Sequence, residues 1–195
     1  MEDLNDQSWR REDDRGAFLV CTKPDLLDHE FINNQAFSSD DMFWAKRLPA
    51  DQLAKALSQS VTLALYEVSP GGPPATTDEP SSPRTESPTT EAPRKEHLQQ
   101  IGLARLVTDH VTFVYLSDVY VLPTKRGLGL FPFLIGCVKD LLKMHPALRR
   151  AMLLTGSDSL RDFYARTLGV WDVVEETQLT IMSRKAVDAD EQGEK

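Results

Sequence analysis

The stretch 116–142, LSDVYVLPTKRGLGLFPFLIGCVKDLL, constrains this chain more than any other. Leu116, Val119, Tyr120 and Val121 read as a buried strand, and Pro123 turns the chain into a basic glycine loop, Lys125-Arg126-Gly127-Leu128-Gly129. Beyond it Leu130, Leu134, Val138, Leu141 and Leu142 fall on one face of a helix that stops near His145-Pro146. A strand feeding a glycine loop that opens a helix is an arrangement for holding phosphate. Glycines let backbone N–H groups close around an anion, and the helix start adds unpaired donors and positive potential.

The segments on either side predict a single domain over 17–185. Residues 1–16 are charged, without apolar periodicity, and read as a flexible arm. A first strand is expected over 17–22 and a helix from Asp25 to about Ala36. Two helical pieces flank Pro49, one over 40–47 with Phe43 and Trp44, the other over 50–59. Strands follow at 61–68, 100–108 and 111–122. Between the first two lies 69–96, rich in Pro, Ser, Thr and Glu, which reads as a disordered insertion because it buries too little to offset its ordering entropy. After the central helix come a strand at 151–155, a helix at 159–167 ended by Gly169, a strand at 178–184 and an acidic tail, 186–195. This order gives an α+β fold, a mixed and mostly antiparallel sheet with helices on both faces.

Charge narrows the function. A net charge of −8 over 195 residues argues against nucleic-acid binding by phosphate neutralisation. No apolar run is long enough to span a membrane and no signal peptide is visible, so the expected location is the cytoplasm, with the nucleus as alternative. Cys21 and Cys137 have no metal or redox spacing and read as buried small hydrophobes. No metal site is expected; His29, His97 and His145 read as surface residues.

The run YLSDVYVLPTKRGLGL resembles the cofactor motif of the GNAT superfamily of acyl-CoA N-acyltransferases, in which a strand ending Val-x-Pro precedes R/Q-x-x-G-x-G/A. Arg126 takes the first motif position and Gly129 the fourth. Phe131 stands where the pattern has Gly or Ala, and Pro132 next to it has no N–H. The resemblance implies an acetyl-CoA-dependent N-acetyltransferase acting on an amine of a small molecule or peptide, as a monomer or homodimer. It implies backbone bonds from Val119, Tyr120 and Val121 to the pantetheine arm, where the fourth and fifth predicted strands splay. Amides of Arg126, Gly127, Leu128, Gly129 and Leu130 would hold the pyrophosphate, with charge from Lys125 and Arg126. Phe43 and Trp44 would have a claim as an acceptor wall beside the simpler one of packing on the sheet.

The segment 162–169, DFYARTLG, is similar to the family's helix ending L/F-Y-x-K-x-G-F, whose Tyr protonates the CoA thiolate; here that residue is Tyr164. Its alternative is a helix Tyr packed on the sheet. Asp118, unusual in a buried strand, is either the general base or a structural acceptor, with Glu67, Asp109 and His110 as weaker base candidates. Phe131 and Pro132 keep open a reading from another class, a non-catalytic CoA-binding or protein-interaction module on the same fold.

Overall fold

A computed structural model describes residues 4–70 and 96–175. The bulk of the proline-rich insertion, the strand expected at 178–184 and the acidic tail lie outside the described residues. The chain divides into two compact units, Met1–Leu154 and Thr155–Lys195, with the boundary inside the stretch expected to be one domain.

The first unit holds a six-stranded sheet in chain order. Its strands are β1 (Ser8–Asp13), β2 (Gly16–Cys21), β3 (Val61–Ser69), β4 (His97–Thr108), β5 (Phe113–Val121) and β6 (Arg150–Leu153). Neighbours pair antiparallel from β1 to β5, and β6 joins β5 in parallel. Its helices are α1 (His29–Phe31), α2 (Ala50–Ser58) and α3 (Leu130–Lys143). The fold is the α+β mixed sheet that the sequence pattern predicts. Val61 to Tyr66 are buried without alternation, as a strand covered on both faces must be. On one face Leu103 and Tyr120 pack with Ile32, Met42, Leu53 and Leu57. On the other, α3 buries Leu134, Val138 and Leu141 over β3, β4 and β5. No helix among the described residues is long and apolar enough to cross a membrane.

Residues 8–13 correct the expectation of a flexible N-terminal arm: they pair with β2 from Ser8↔Cys21 to Asp13↔Gly16. Two half-buried positions, Trp9 and Arg11, carry the inward face of this charged edge strand, so no apolar run announces it. The helix expected from Asp25 is also broken up. Pro24–Leu26 is a single 3-10 turn, and Asp28, not Asp25, caps α1 by accepting from the Phe31 amide at 2.9 Å. Ile32–Ala36 then widens into a π turn closed by Phe37 N–H to the Ile32 carbonyl, 2.9 Å. Of the helix expected over 40–47, Asp40–Met42 forms one 3-10 turn. Side-chain turn bonds compete with helix here: Ser39 Oγ accepts from the Asp41 amide at 3.3 Å.

Gly102 lets two strands close. A Cβ there would stand 2.7 Å from the Tyr120 carbonyl oxygen, inside the contact limit for any side chain. His145, expected at the surface, is buried at the end of α3 with Nδ1 3.0 Å from the Leu141 carbonyl.

The second unit contains α4 (Asp158–Leu168). Gly169 ends it in the left-handed region at φ 72°, its amide donating to the Ala165 carbonyl at 3.0 Å. A 3-10 turn, Val173–Glu175, follows.

Candidate active site at the bulged edge of β5

Strand β5 is irregular where the sequence places its chemistry. Opposite β4, Leu103 pairs with Tyr120 and Arg105 with Ser117, so Asp118 and Val119 together face the single residue Ala104. That is a β-bulge, and it bends the strand. Asp118 takes φ 50°, a left-handed conformation that Asp tolerates better than most residues. Its carboxylate is buried and held by three donors: Arg105 Nε at 2.6 Å, Ser117 Oγ at 3.1 Å and Trp44 Nε1 at 3.3 Å. Two of the three come from other elements, so Asp118 ties the bulge to β4 and to the segment after Met42.

On the other side of β5, pairing with β6 runs from Phe113↔Arg150 to Leu116↔Leu153 and stops. The strand continues to Val121. Past Leu116, then, that edge has no strand partner among the described residues. The Tyr120 ring is buried against Phe31, centroids 6.3 Å apart, and its carbonyl lies toward Gly102 on β4.

Beyond Val121 the chain makes a 3-10 turn, Pro123–Lys125, and enters the glycine loop. Gly127 and Gly129 both have positive φ, 82° and 71°, so neither position suits a side chain. Gly129 is the N-cap of α3. Pro132 sits in the first turn, where its missing N–H breaks no helical bond but removes a donor from the helix head. Phe131 is half-buried.

The loop's charges are already matched. Lys125 Nζ contacts both oxygens of Glu67, at 2.7 and 2.6 Å. Arg126 pairs with Asp41 at 2.5 Å and donates from Nε to the Val121 carbonyl at 3.1 Å. The Arg126 guanidinium holds the Asp41 carboxyl below the ordinary carboxylate range. One expected phosphate donor is also committed: the Arg126 amide donates to the Pro123 carbonyl at 3.2 Å. Among the described residues, the amides of Gly127, Leu128, Gly129 and Leu130 make no such turn bond.

The weaker base candidates have other partners. Glu67 belongs to Lys125. Asp109 Oδ1 accepts amides of Val111, Thr112 and Phe113, which closes the β4–β5 turn with His110 at φ 62°. Trp44 and Phe43 stack edge to face at 5.1 Å, and Phe43 is 85 % exposed, so the pair forms a surface feature and not a core contact. In the second unit, Tyr164 is buried next to Phe163, and burial pushes its phenol up to about 12.

No protein-family model matches the chain. A Gibberella zeae protein named "Putative acetyltransferase" is 38 % identical over 166 residues, spanning 85 % of this chain and 84 % of that one. The crystal structure of a Xanthomonas campestris protein described as a "putative acetyltransferase belonging to the gnat family" matches with a TM-score of 0.55 and 27 % identity, over 87 % of this chain and 93 % of that one. The chain belongs to the GNAT superfamily of acetyltransferases. The bulged β5 and the glycine loop at the head of α3 both lie within the first unit. Sequence reasoning about this GNAT chain missed two parts of that neighbourhood: the Arg105–Asp118–Trp44 anchor, and the guanidinium of Arg11 beside the loop. An Arg in one expected strand and an odd Asp in the next were a signal for the first. The second left no local trace, since it depends on pairing across the sheet.

Proposed function

We propose that this chain transfers an acetyl group from acetyl-CoA to an amine of a small molecule or peptide. The unpaired edge of β5 past Leu116 carries the reading. An extended pantetheine arm bears amide donors and acceptors at strand-like spacing and adds to such an edge as a further strand would. Val119 and Val121 offer it backbone groups, whereas the Tyr120 carbonyl lies toward Gly102 on β4. The arm's diphosphate then falls toward the amides of Gly127, Leu128, Gly129 and Leu130, where the head of α3 favours negative charge. Arg126 and Lys125 reach that diphosphate only by exchanging Asp41 and Glu67 for it.

The reaction balances simply. The amine nitrogen attacks the thioester carbonyl carbon, the C–N bond forms, the C–S bond breaks, and the CoA thiolate takes a proton. Tyr164 gives that proton in this reading, since a phenol that stays protonated at neutral pH is a suitable acid. Asp118 acts through position: with its oxygens engaged by Arg105, Ser117 and Trp44, it holds the bulge that aims the β5 backbone, and the amine loses its proton to water. Phe43 and Trp44 form a wall on which an acceptor rests.

Paired loop cations and the donor missing at Pro132 favour a second reading, a non-catalytic CoA-binding or interaction module. Free-thiol release from acetyl-CoA, measured over a panel of amines and amino-terminal peptides, separates the two. Amine-dependent release is expected. Acetyl-CoA binding with no release over the whole panel would leave the module.

A further inference from the structure

The N-terminal hairpin touches the glycine loop, a contact that lies outside the GNAT motif. Arg11, on β1, reaches the glycine loop with both ends of its guanidinium fork: Nη1 donates to the Gly129 carbonyl at 3.0 Å and Nη2 to the Leu128 carbonyl at 2.9 Å. The side chain is 22 % exposed, is steadied by Asp13 at 3.2 Å, and lies over the rings of Phe18 and Phe133 at 4.9 and 5.4 Å. A peptide unit is planar and trans, so its N–H points opposite its C=O. Fixing the Leu128 and Gly129 carbonyls on Arg11 therefore turns the Gly129 and Leu130 amides away from the Arg11 guanidinium. A rigid planar fork does this for two consecutive units at once, which a lysine cannot.

The same hairpin carries a second guanidinium. Arg15 Nη1 lies 3.5 Å from where a Gly129 Cβ would stand. Lys125 and Arg126 are matched by Glu67 and Asp41, while Arg15 is exposed and has no ion pair among the described residues. Among the described residues it is a cation at the head of α3 that needs no carboxylate displaced before it meets a phosphate.

We propose that the β1–β2 hairpin completes the diphosphate site, with Arg11 as the positioning residue that orients the loop amides and Arg15 as a direct phosphate contact. The proposal rests on the acetyl-CoA reading above and narrows it to the nucleotide end of the cofactor.

Calorimetric titration of the full chain and its Arg15→Ala and Arg11→Lys variants with CoA, and with pantetheine as a probe lacking the diphosphate, tests it. Arg15→Ala is expected to weaken CoA binding roughly tenfold, the scale of one charge-assisted hydrogen bond, and to leave pantetheine binding unchanged. Arg11→Lys keeps the charge and loses the fork; a similar loss for CoA is expected, appearing in KM for acetyl-CoA with kcat held within about twofold. If CoA binds the wild type and neither variant shifts its affinity, the hairpin proposal is overturned while the acetyl-CoA reading stands. Equal losses for CoA and pantetheine would also overturn it, since the effect would then be structural. If the wild type binds no CoA, the acetyl-CoA reading fails and the hairpin proposal with it.

Discussion

Asp118→Ala is expected to lower the melting temperature by roughly 10 °C, from a loss of about 3–5 kcal/mol. Two causes add. Removing the carboxylate strands the Arg105 guanidinium, whose side chain is 20 % exposed, and unpaired charges of that kind are among the larger single losses known. Ala must also take the left-handed conformation at φ 50° without the local hydrogen bonds that make it tolerable for Asp. Asp118→Asn keeps the conformation and an acceptor for Trp44, so roughly half of the loss is expected. It also separates two roles. As a positioning residue, Asp118 leaves an Asn variant with measurable turnover and an unaltered pH profile. Turnover lost by about a thousandfold, with the melting temperature intact and the acidic limb of the profile gone, would make it the base.

Tyr164→Phe is expected to lower kcat by about 10²-fold or more, within the usual worth of a positioned acid, and to leave acetyl-CoA affinity within about twofold. Burial sets the pH behaviour. With the phenol pushed up to about 12, Tyr164 keeps its proton well past the ordinary tyrosine range near 10. Wild-type turnover should therefore show no alkaline limb from this group below pH 10. Because the folded value is raised, Tyr164 adds stability that is fully present below pH 10 and is lost as pH rises toward 12. An unchanged rate in the Phe variant would return Tyr164 to the packing role that its buried contact with Phe163 also fits.

Which parts of the chain were readable from sequence follows from where the information sits. β3, β5 and α3 declare themselves because their apolar residues are local and periodic, and the glycine loop because positive φ at Gly127 and Gly129 demands that residue type. β1 does not, because an edge strand whose inward positions are Trp9 and Arg11 looks like a charged tail until β2 is there to pair with it. The stretch 25–47 fails for a related reason. Its helical periodicity is real but short, and Asn33 diverts the chain by bonding the Leu48 carbonyl at 2.8 Å and the Leu48 amide at 2.9 Å. At the site, composition suggests that Lys125 and Arg126 wait for phosphate, whereas each already faces a carboxylate from a distant segment. Partners of that kind are tertiary facts. Motif spacing carries no record of them.

Hydrogen–deuterium exchange with and without saturating acetyl-CoA tests most directly whether main-chain amides beyond Pro123 take the cofactor's diphosphate. Slowed exchange is expected at Gly127, Leu128, Gly129 and Leu130, with none in α2, whose amides lie in a closed helix. Binding of acetyl-CoA with exchange at those four amides unaltered would contradict it.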